Sequence, residues 1–270
     1  MKLSSSEKSR LLNTYGSWAL ITGASSGIGR EIAERLAEAG LNLLIHGRRL
    51  SELQALKQSI NQQYPVEVRI TSGDLSERLG VDQLWQASQN LDLGLVVFSA
   101  GFGTSGSFLR TELDQEVNML RVNCEALLIL THLFSARLSE RKKGGMILMS
   151  SMVGFQGVPF SANYAASKAY VQSLAEALAI ELKPKGVDVL AAAPGPVASG
   201  FAERADMKMD MSLKPSDVGV PILKALGRKT TVLPGFLTKF LVYSLRTVPR
   251  WGKVRIMKLV MGGMTKHQGA

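Results

Sequence analysis

Cysteine is almost missing from this chain of 270 residues: Cys124 stands alone, so no disulfide closes within the chain and nothing asks for an oxidising compartment. A lone thiol of this kind reads as a small packed hydrophobe, not a nucleophile. Histidine is scarce too. His46, His132 and His267 lie far apart and show no metal-ligand spacing, which leaves no metal site to expect. Long apolar runs are also absent: no 18 residues pass without a charge, a proline or a polar break. The opening MKLSSSEKSRLLNTYGS holds no apolar segment of signal-peptide length, so neither a leader nor a membrane span is expected. No internal repeat or low-complexity tract appears.

Acid is missing from one end only. After Asp217 come ten lysines and arginines and no aspartate or glutamate. Taking those ten from the 32 basic residues leaves 22, equal to the 22 acids, so the net charge of +10 belongs to the C-terminal segment. A neutral main body argues against a nucleic-acid groove, and no nucleic-acid partner is expected.

What is present suits one core. At 46% hydrophobic and 20% charged, a chain of this length folds as one domain. Short runs rich in Val, Ile and Leu, at residues 18–21, 41–45, 66–70, 93–98, 146–150, 187–193 and 230–233, alternate with helical patterns at 29–39, 51–61, 115–140 and 162–183. That alternation predicts an α/β fold, a Rossmann-like, doubly wound sheet of seven parallel strands with a C-terminal helical extension. The divisions expected are an N-terminal arm at 1–15, a nucleotide-binding domain at 16–234 and a basic amphipathic extension at 235–270.

The first apolar run leads into Thr22-Gly23-Ala24-Ser25-Ser26-Gly27-Ile28-Gly29, which opens a helix. Amides of such a loop, with the helix N-terminus behind them, suit a pyrophosphate. Gly23 serves the tight turn, Gly27 the approach of phosphate to backbone and Gly29 the packing of helix on strand. The second strand ends in His46-Gly47-Arg48-Arg49, where a dinucleotide fold places the adenosine ribose. An acid there would bind a free 2′-hydroxyl; Arg48, helped by Arg49 or Ser25, instead offers charged hydrogen bonds to a 2′-phosphate and points to NADP(H). The alternative is that both arginines merely solvate a helix start. Asp74, before Leu75 after the third strand, either accepts from an adenine amino group or caps the next helix.

Tyr164 and Lys168 are four apart in a helical stretch and so share a face. An adjacent ammonium favours the phenolate, and a tyrosine so placed protonates the alkoxide formed as hydride reaches a carbonyl. Ser151 closes the fifth strand at the carboxyl edge of the sheet, where its hydroxyl meets a substrate oxygen.

Together TGASSGIG at 22–29, Asn123, Ser151, Tyr164-x-x-x-Lys168 and Pro194-Gly195 resemble the short-chain dehydrogenase/reductase family over residues 16–234. The resemblance implies a carbonyl/alcohol oxidoreductase with Tyr164 as acid/base. Lys168 would lower its pKa and hold the nicotinamide ribose, Ser151 polarise the carbonyl, and Asn123 complete a proton relay. It selects Ser151 over Ser150, gives Ala100 and Gly101 to the adenosine side, and gives Pro194, Gly195, Val197 and Ser199 to the nicotinamide carboxamide. Asn123 read alone is equally a helix-interior residue bonded to nearby backbone. The chain departs from the family at Phe98-Ser99-Ala100-Gly101, where two asparagines are usual, which leaves open how the central sheet is cross-linked.

Residues 236–248 read as a helix with Phe236, Phe240, Leu241, Ser244, Leu245 and Val248 on one side and Lys239 and Arg246 on the other, ended by Pro249; Trp251 to Val260 repeats the mixture. This tail is either an interfacial pair that meets anionic lipid at 236–260, or a lid or dimer contact. Met207, Met209 and Met211 suggest an adaptable apolar wall for a lipophilic ketone, 3-oxoacyl or steroid-like substrate. The expectation is a cytoplasmic homo-oligomer, peripherally membrane-associated if the tail meets lipid. The competing reading is a non-catalytic NADP-sensing or scaffold protein that engages a partner or membrane through its tail.

Overall fold

In the computed structural model, which describes residues 2–208 and 212–268, the apolar runs become seven strands. They are β1 (Trp18–Thr22), β2 (Asn42–Gly47), β3 (Val68–Ser72), β4 (Leu93–Phe98), β5 (Gly144–Met149), β6 (Val187–Ala192) and β7 (Thr231–Val232). All pair in parallel in the order β3-β2-β1-β4-β5-β6-β7. The order reverses between β1 and β4, and there a crevice opens beyond the carboxyl ends of the strands.

Alternate residues of each strand face opposite layers. Ala19, Ile21, Leu43 and Ile45 pack beneath α1 (Ser5–Tyr15), α2 (Gly27–Glu38), α3 (Leu50–Gln63) and α9 (Ser216–Ala225). Leu20, Leu44, Val96 and Leu148 pack against α4 (Arg78–Ser88), α6 (Leu127–Glu140) and α7 (Ala162–Glu181). The helix expected at 115–140 has an interruption: α5 (Leu113–Leu120) passes through a π-helical turn, Arg121–Ala126, before α6 begins. By length and composition residues 113–140 could cross a bilayer. Here Leu127, Leu130, Phe134 and Leu138 are buried in the layer over the sheet.

Residues 1–15, set apart by sequence as an arm, contain α1, whose Leu11 and Tyr15 are fully buried. Arg10 ties it down by donating to the Leu223 and Leu226 carbonyls at 2.8 and 2.9 Å, and Tyr15 Oη donates to Asp188 at 3.0 Å. The C-terminal segment forms α10 (Phe236–Ser244) and α11 (Arg250–Thr265), joined by a 3-10 turn at Leu245–Thr247. Met257, Met261 and Thr265, one turn apart, bury one side of α11. The apolar side expected for α10 is turned differently: Thr238 is its buried residue, while Phe236 is 84% and Phe240 58% exposed. A cavity, not a packed core, lies inside this short helix, so its large side chains find no layer to fill.

Candidate active site

One cavity of about 1470 Å³ runs along the crevice, and Gly23, Arg48, Ser151, Tyr164, Lys168 and Ser199 all line it. Its floor begins where β1 ends. Gly23 turns with φ +69°, and a Cβ there would stand 2.8 Å from the Ala100 Cα and backbone nitrogen. Gly27, at φ +58°, faces Ser199, with 2.9 Å left between an added Cβ and that residue's Cβ. The loops after β1 and β6 therefore meet across the cavity. The N-cap of α2, Ser26, makes no side-chain hydrogen bond, and no acid stands in the first turn, so the helix end is free to receive an anion. This cradle of close backbone, fitted to the reversal of strand order, suits a dinucleotide pyrophosphate across Gly23, Ser25, Ser26, Gly27 and Ile28, with Gly29 packed against the Gly23 carbonyl.

Thr22 supplies the cross-link that the missing asparagines left open. Its Oγ1 accepts from the amides of Ser99 and Ala100, each at 3.1 Å, and so joins the ends of β1 and β4. The sequence signal was the threonine at the strand end, and only the register Thr22 to Phe98 gives it meaning.

Three arginines gather at the adenosine end. Arg48 pairs with Asp74 at 3.3 Å, and Arg49 donates to Ser25 Oγ at 3.5 Å. Asp74 also caps the following turn, its other oxygen accepting from Ser76 N and Oγ at 2.9 Å. These contacts, with the charge of Arg48, hold its carboxyl below the usual range despite partial burial. The third is Arg204, from α8 (Phe201–Arg204), which sequence reasoning missed: it lies 156 positions from Arg48 with no motif around it. Burial, chiefly, and then the positive charge of Arg48 depress its pKa, and its guanidinium lies over the Phe102 ring, 4.1 Å from the centroid. His46 lies beside them, 2% exposed, with neither ring nitrogen hydrogen-bonded; burial pushes its pKa down to about 4, so it adds no charge. Leu75 lines the same cavity, whereas Gly101, expected on the adenosine side, lies by Asn123 and Lys168: a Cβ there would stand 2.9 Å from Asn123 Oδ1 and 3.3 Å from Lys168 Nζ.

At the other end stand the residues of the expected proton transfer. Ser150 and Ser151 part ways: Ser150 Oγ donates to the Lys168 carbonyl at 2.9 Å, whereas the contacts of Ser151 Oγ with backbone are long, to Pro194 O at 3.5 Å and from Val153 N at 3.4 Å. Ser151 therefore keeps a hydroxyl available to the cavity. Burial pushes the Tyr164 phenol up to about 12, opposed by a hydrogen bond with Ser151. Lys168, expected to lower that value, has its Nζ 5.8 Å from the phenol ring centroid and donates to the Met149 carbonyl at 2.9 Å. Its own pKa is brought down to about 8 by burial, and desolvation governs both groups. Asn123 sits in the π-helical turn and is bonded to distant backbone: its amide accepts from Phe102 N at 3.1 Å and donates to Phe102 O at 2.8 Å and Ser167 Oγ at 3.1 Å. Cys124 beside it donates weakly to the Ser167 carbonyl, and burial raises its thiol pKa.

The loop after β6 carries Pro194, Gly195, Val197 and Ser199 along the cavity. Its excursion is closed at the base: Ala198 N donates to Leu213 O at 2.8 Å and Leu213 N to Pro196 O at 2.9 Å. Within it Phe201 lies against Tyr164, ring centroids 5.2 Å apart, and Met207 reaches the cavity. Met209 and Met211 lie outside the described residues. The further wall comes from the C-terminal helices, through Leu237, Leu241, Met257, Met261 and Met264.

Comparison with known proteins agrees with this arrangement. The family model for short chain dehydrogenases matches residues 17–210. A 7beta-hydroxysteroid dehydrogenase from Clostridium sardiniense is 31% identical over 229 residues, covering 83% of this chain and 88% of that protein. A very-long-chain 3-oxoacyl-CoA reductase from Ajellomyces capsulatus is 32% identical over 259 residues, 94% of this chain and 74% of that one. Among solved structures, one giving structural and biochemical insights into 7beta-hydroxysteroid dehydrogenase stereoselectivity superposes with a TM-score of 0.84 at 27% identity, over 92% of this chain and 98% of that chain. A short-chain dehydrogenase from Sphingobium yanoikuyae in complex with NADPH gives 0.80 at 26% identity, over 85% and 91%. These relatives are dehydrogenases and reductases and lend no support to a non-catalytic scaffold. With the family match extending over most of its length, the chain belongs to the short chain dehydrogenase family and is an NADP(H)-dependent oxidoreductase of alcohol and carbonyl groups.

Proposed function

We propose that the protein reduces the carbonyl of a bulky, lipophilic molecule, a steroid-like ketone or a 3-oxoacyl thioester. One observation carries the reading: Ser151 and Tyr164 share a single cavity with an apolar wall of Met207, Met257, Met261 and Met264. Methionine-lined walls adapt to large apolar ligands. The names of the two relatives above point to the same class.

A nicotinamide cofactor, when bound, would supply the hydride. Tyr164 gives its phenolic proton to the carbonyl oxygen, so the product is an alcohol and the phenol is left as phenolate until solvent returns the proton. Ser151 donates a hydrogen bond to the same oxygen while charge develops on it. Lys168, as an ammonium, would hold the nicotinamide ribose and steady the phenolate. Asn123 positions the backbone at Phe102 at the rim of this site. Arg48, with Arg49 and Arg204, would take the 2′-phosphate, and Ala100 and Leu75 would flank the adenosine.

A panel run with NADPH should favour steroid ketones and long 3-oxoacyl thioesters over small hydrophilic ketones by kcat/KM. Preferential turnover of the small ketones would sink the substrate assignment. The homo-oligomeric state is also proposed, supported by Leu113, Val117 and Leu120, exposed along one side of α5. Light scattering at the mass of one chain, 29.2 kDa, would remove it.

A further inference from the structure

Eight large apolar side chains of the two C-terminal helices stand in solvent: Phe236, Leu237, Phe240 and Tyr243 on α10, and Trp251, Ile256, Leu259 and Val260 on α11. Among them lie Lys239, Arg246, Arg250, Lys253, Arg255 and Lys258. None of these six cations forms an ion pair among the described residues. Two are laid over the exposed rings instead, Arg255 at 5.0 Å from the Trp251 centroid and Arg246 at 6.0 Å from that of Tyr243. Phe236 and Phe240 stack at 6.4 Å on the outside of α10.

We propose that this outward face of α10 and α11 docks on an anionic lipid bilayer. Charge complementarity selects the occupant. Beyond Asp217 the segment holds no acid, so a second copy of the same face would bring cations against cations. A nucleic acid would answer the cations and rings but would leave Leu237, Ile256, Leu259 and Val260 against a polar backbone. A bilayer with anionic headgroups satisfies both sets at once, as apolar side chains enter the headgroup boundary and cations meet the surface charge. The geometry adds a consequence: Leu237 and Val260 are 43% and 46% exposed and also line the catalytic cavity, so its mouth opens onto this face. That a lipophilic substrate enters from the bilayer rests on the proposed substrate class; the docking does not.

The test is flotation of the full-length protein, loaded with NADPH, on vesicles of phosphatidylcholine alone or with about one third phosphatidylserine. The protein should float with the anionic vesicles about tenfold more than with the neutral ones, and raising salt from about 0.1 to about 0.5 M should remove most of that difference. K239E/R255E/K258E should abolish the preference, and F236S/F240S should weaken binding, while NADPH titration shows both variants folded. Absence of flotation on anionic vesicles overturns the proposal, as does equal binding to neutral ones. So does a dimer that F236S/F240S converts to monomer in the absence of any vesicle binding. Flotation reads docking alone, so a failed ketone panel would leave this result standing.

Discussion

Tyr164 holds its proton tightly, because its hydroxyl is buried and its pKa is pushed up to about 12. It is thereby an acid throughout the neutral range, which suits reduction, while oxidation of an alcohol needs the phenolate and should accelerate as pH rises. Initial rates in both directions between about pH 6 and 10 would check this; an oxidation rate that declines with pH would contradict it. Tyr164→Phe should lower kcat by about 10²- to 10⁴-fold with NADPH affinity retained. Arg48→Ala should weaken NADPH about tenfold and leave NADH unaffected, read by cofactor fluorescence; equal effects on both would remove its part in cofactor choice. His46 predicts a stability change. Its folded pKa of about 4 lies below the ordinary 6.5, so between these values the unfolded chain binds more protons and stability falls as pH drops. The loss approaches about 3 kcal/mol at about 1.4 kcal/mol per pH unit, and His46→Leu should flatten urea-denaturation midpoints across that window.

The elements show which parts of the fold were legible. Apolar runs place all seven strands, with β2 and β3 ending two residues later than expected because their last residues pair with neighbours whatever their polarity, as in His46 with Thr71 and Gly47 with Ser72. Spacing also brings Ser151, Tyr164 and Lys168 together, since two lie on one helix and the third, expected to close β5, follows its last residue Met149 by two positions at the cap of a 3-10 turn. The π-helical turn at Asn123 was not legible, and nor were the bonds of Asn123 with the Phe102 backbone, 21 positions away in the sequence. Nor was Thr22, whose partners belong to another strand. Thr22→Val should leave the amides of Ser99 and Ala100 without their acceptor and cost about 1–3 kcal/mol in urea unfolding. An unchanged midpoint would show that the cross-link carries no stability.

At the scale of the molecule, composition foretold one neutral body with a basic tail, but not how the ends of the chain are used. Glu7 of α1 pairs with Arg228 at 2.7 Å, so the first helix and the segment after α9 hold each other. At the far end the tail grips the excursion after β6, through Lys208 N to Met264 O at 3.1 Å and His267 to Asp206 at 3.1 Å. Such contacts join elements distant in sequence and leave no periodic trace.

The isolated parallel bridge of Val197 with Leu213, outside the sheet, gives that excursion fixed endpoints. Between those endpoints lie Ser199, which faces Gly27 across the phosphate cradle, and Arg204, so exchanging this segment would alter the cofactor end of the cavity as well as its substrate wall. Grafting this segment together with α11 from a relative of different preference should transplant substrate choice as one unit, whereas grafting it alone would break the grip of Met264 and His267 upon it.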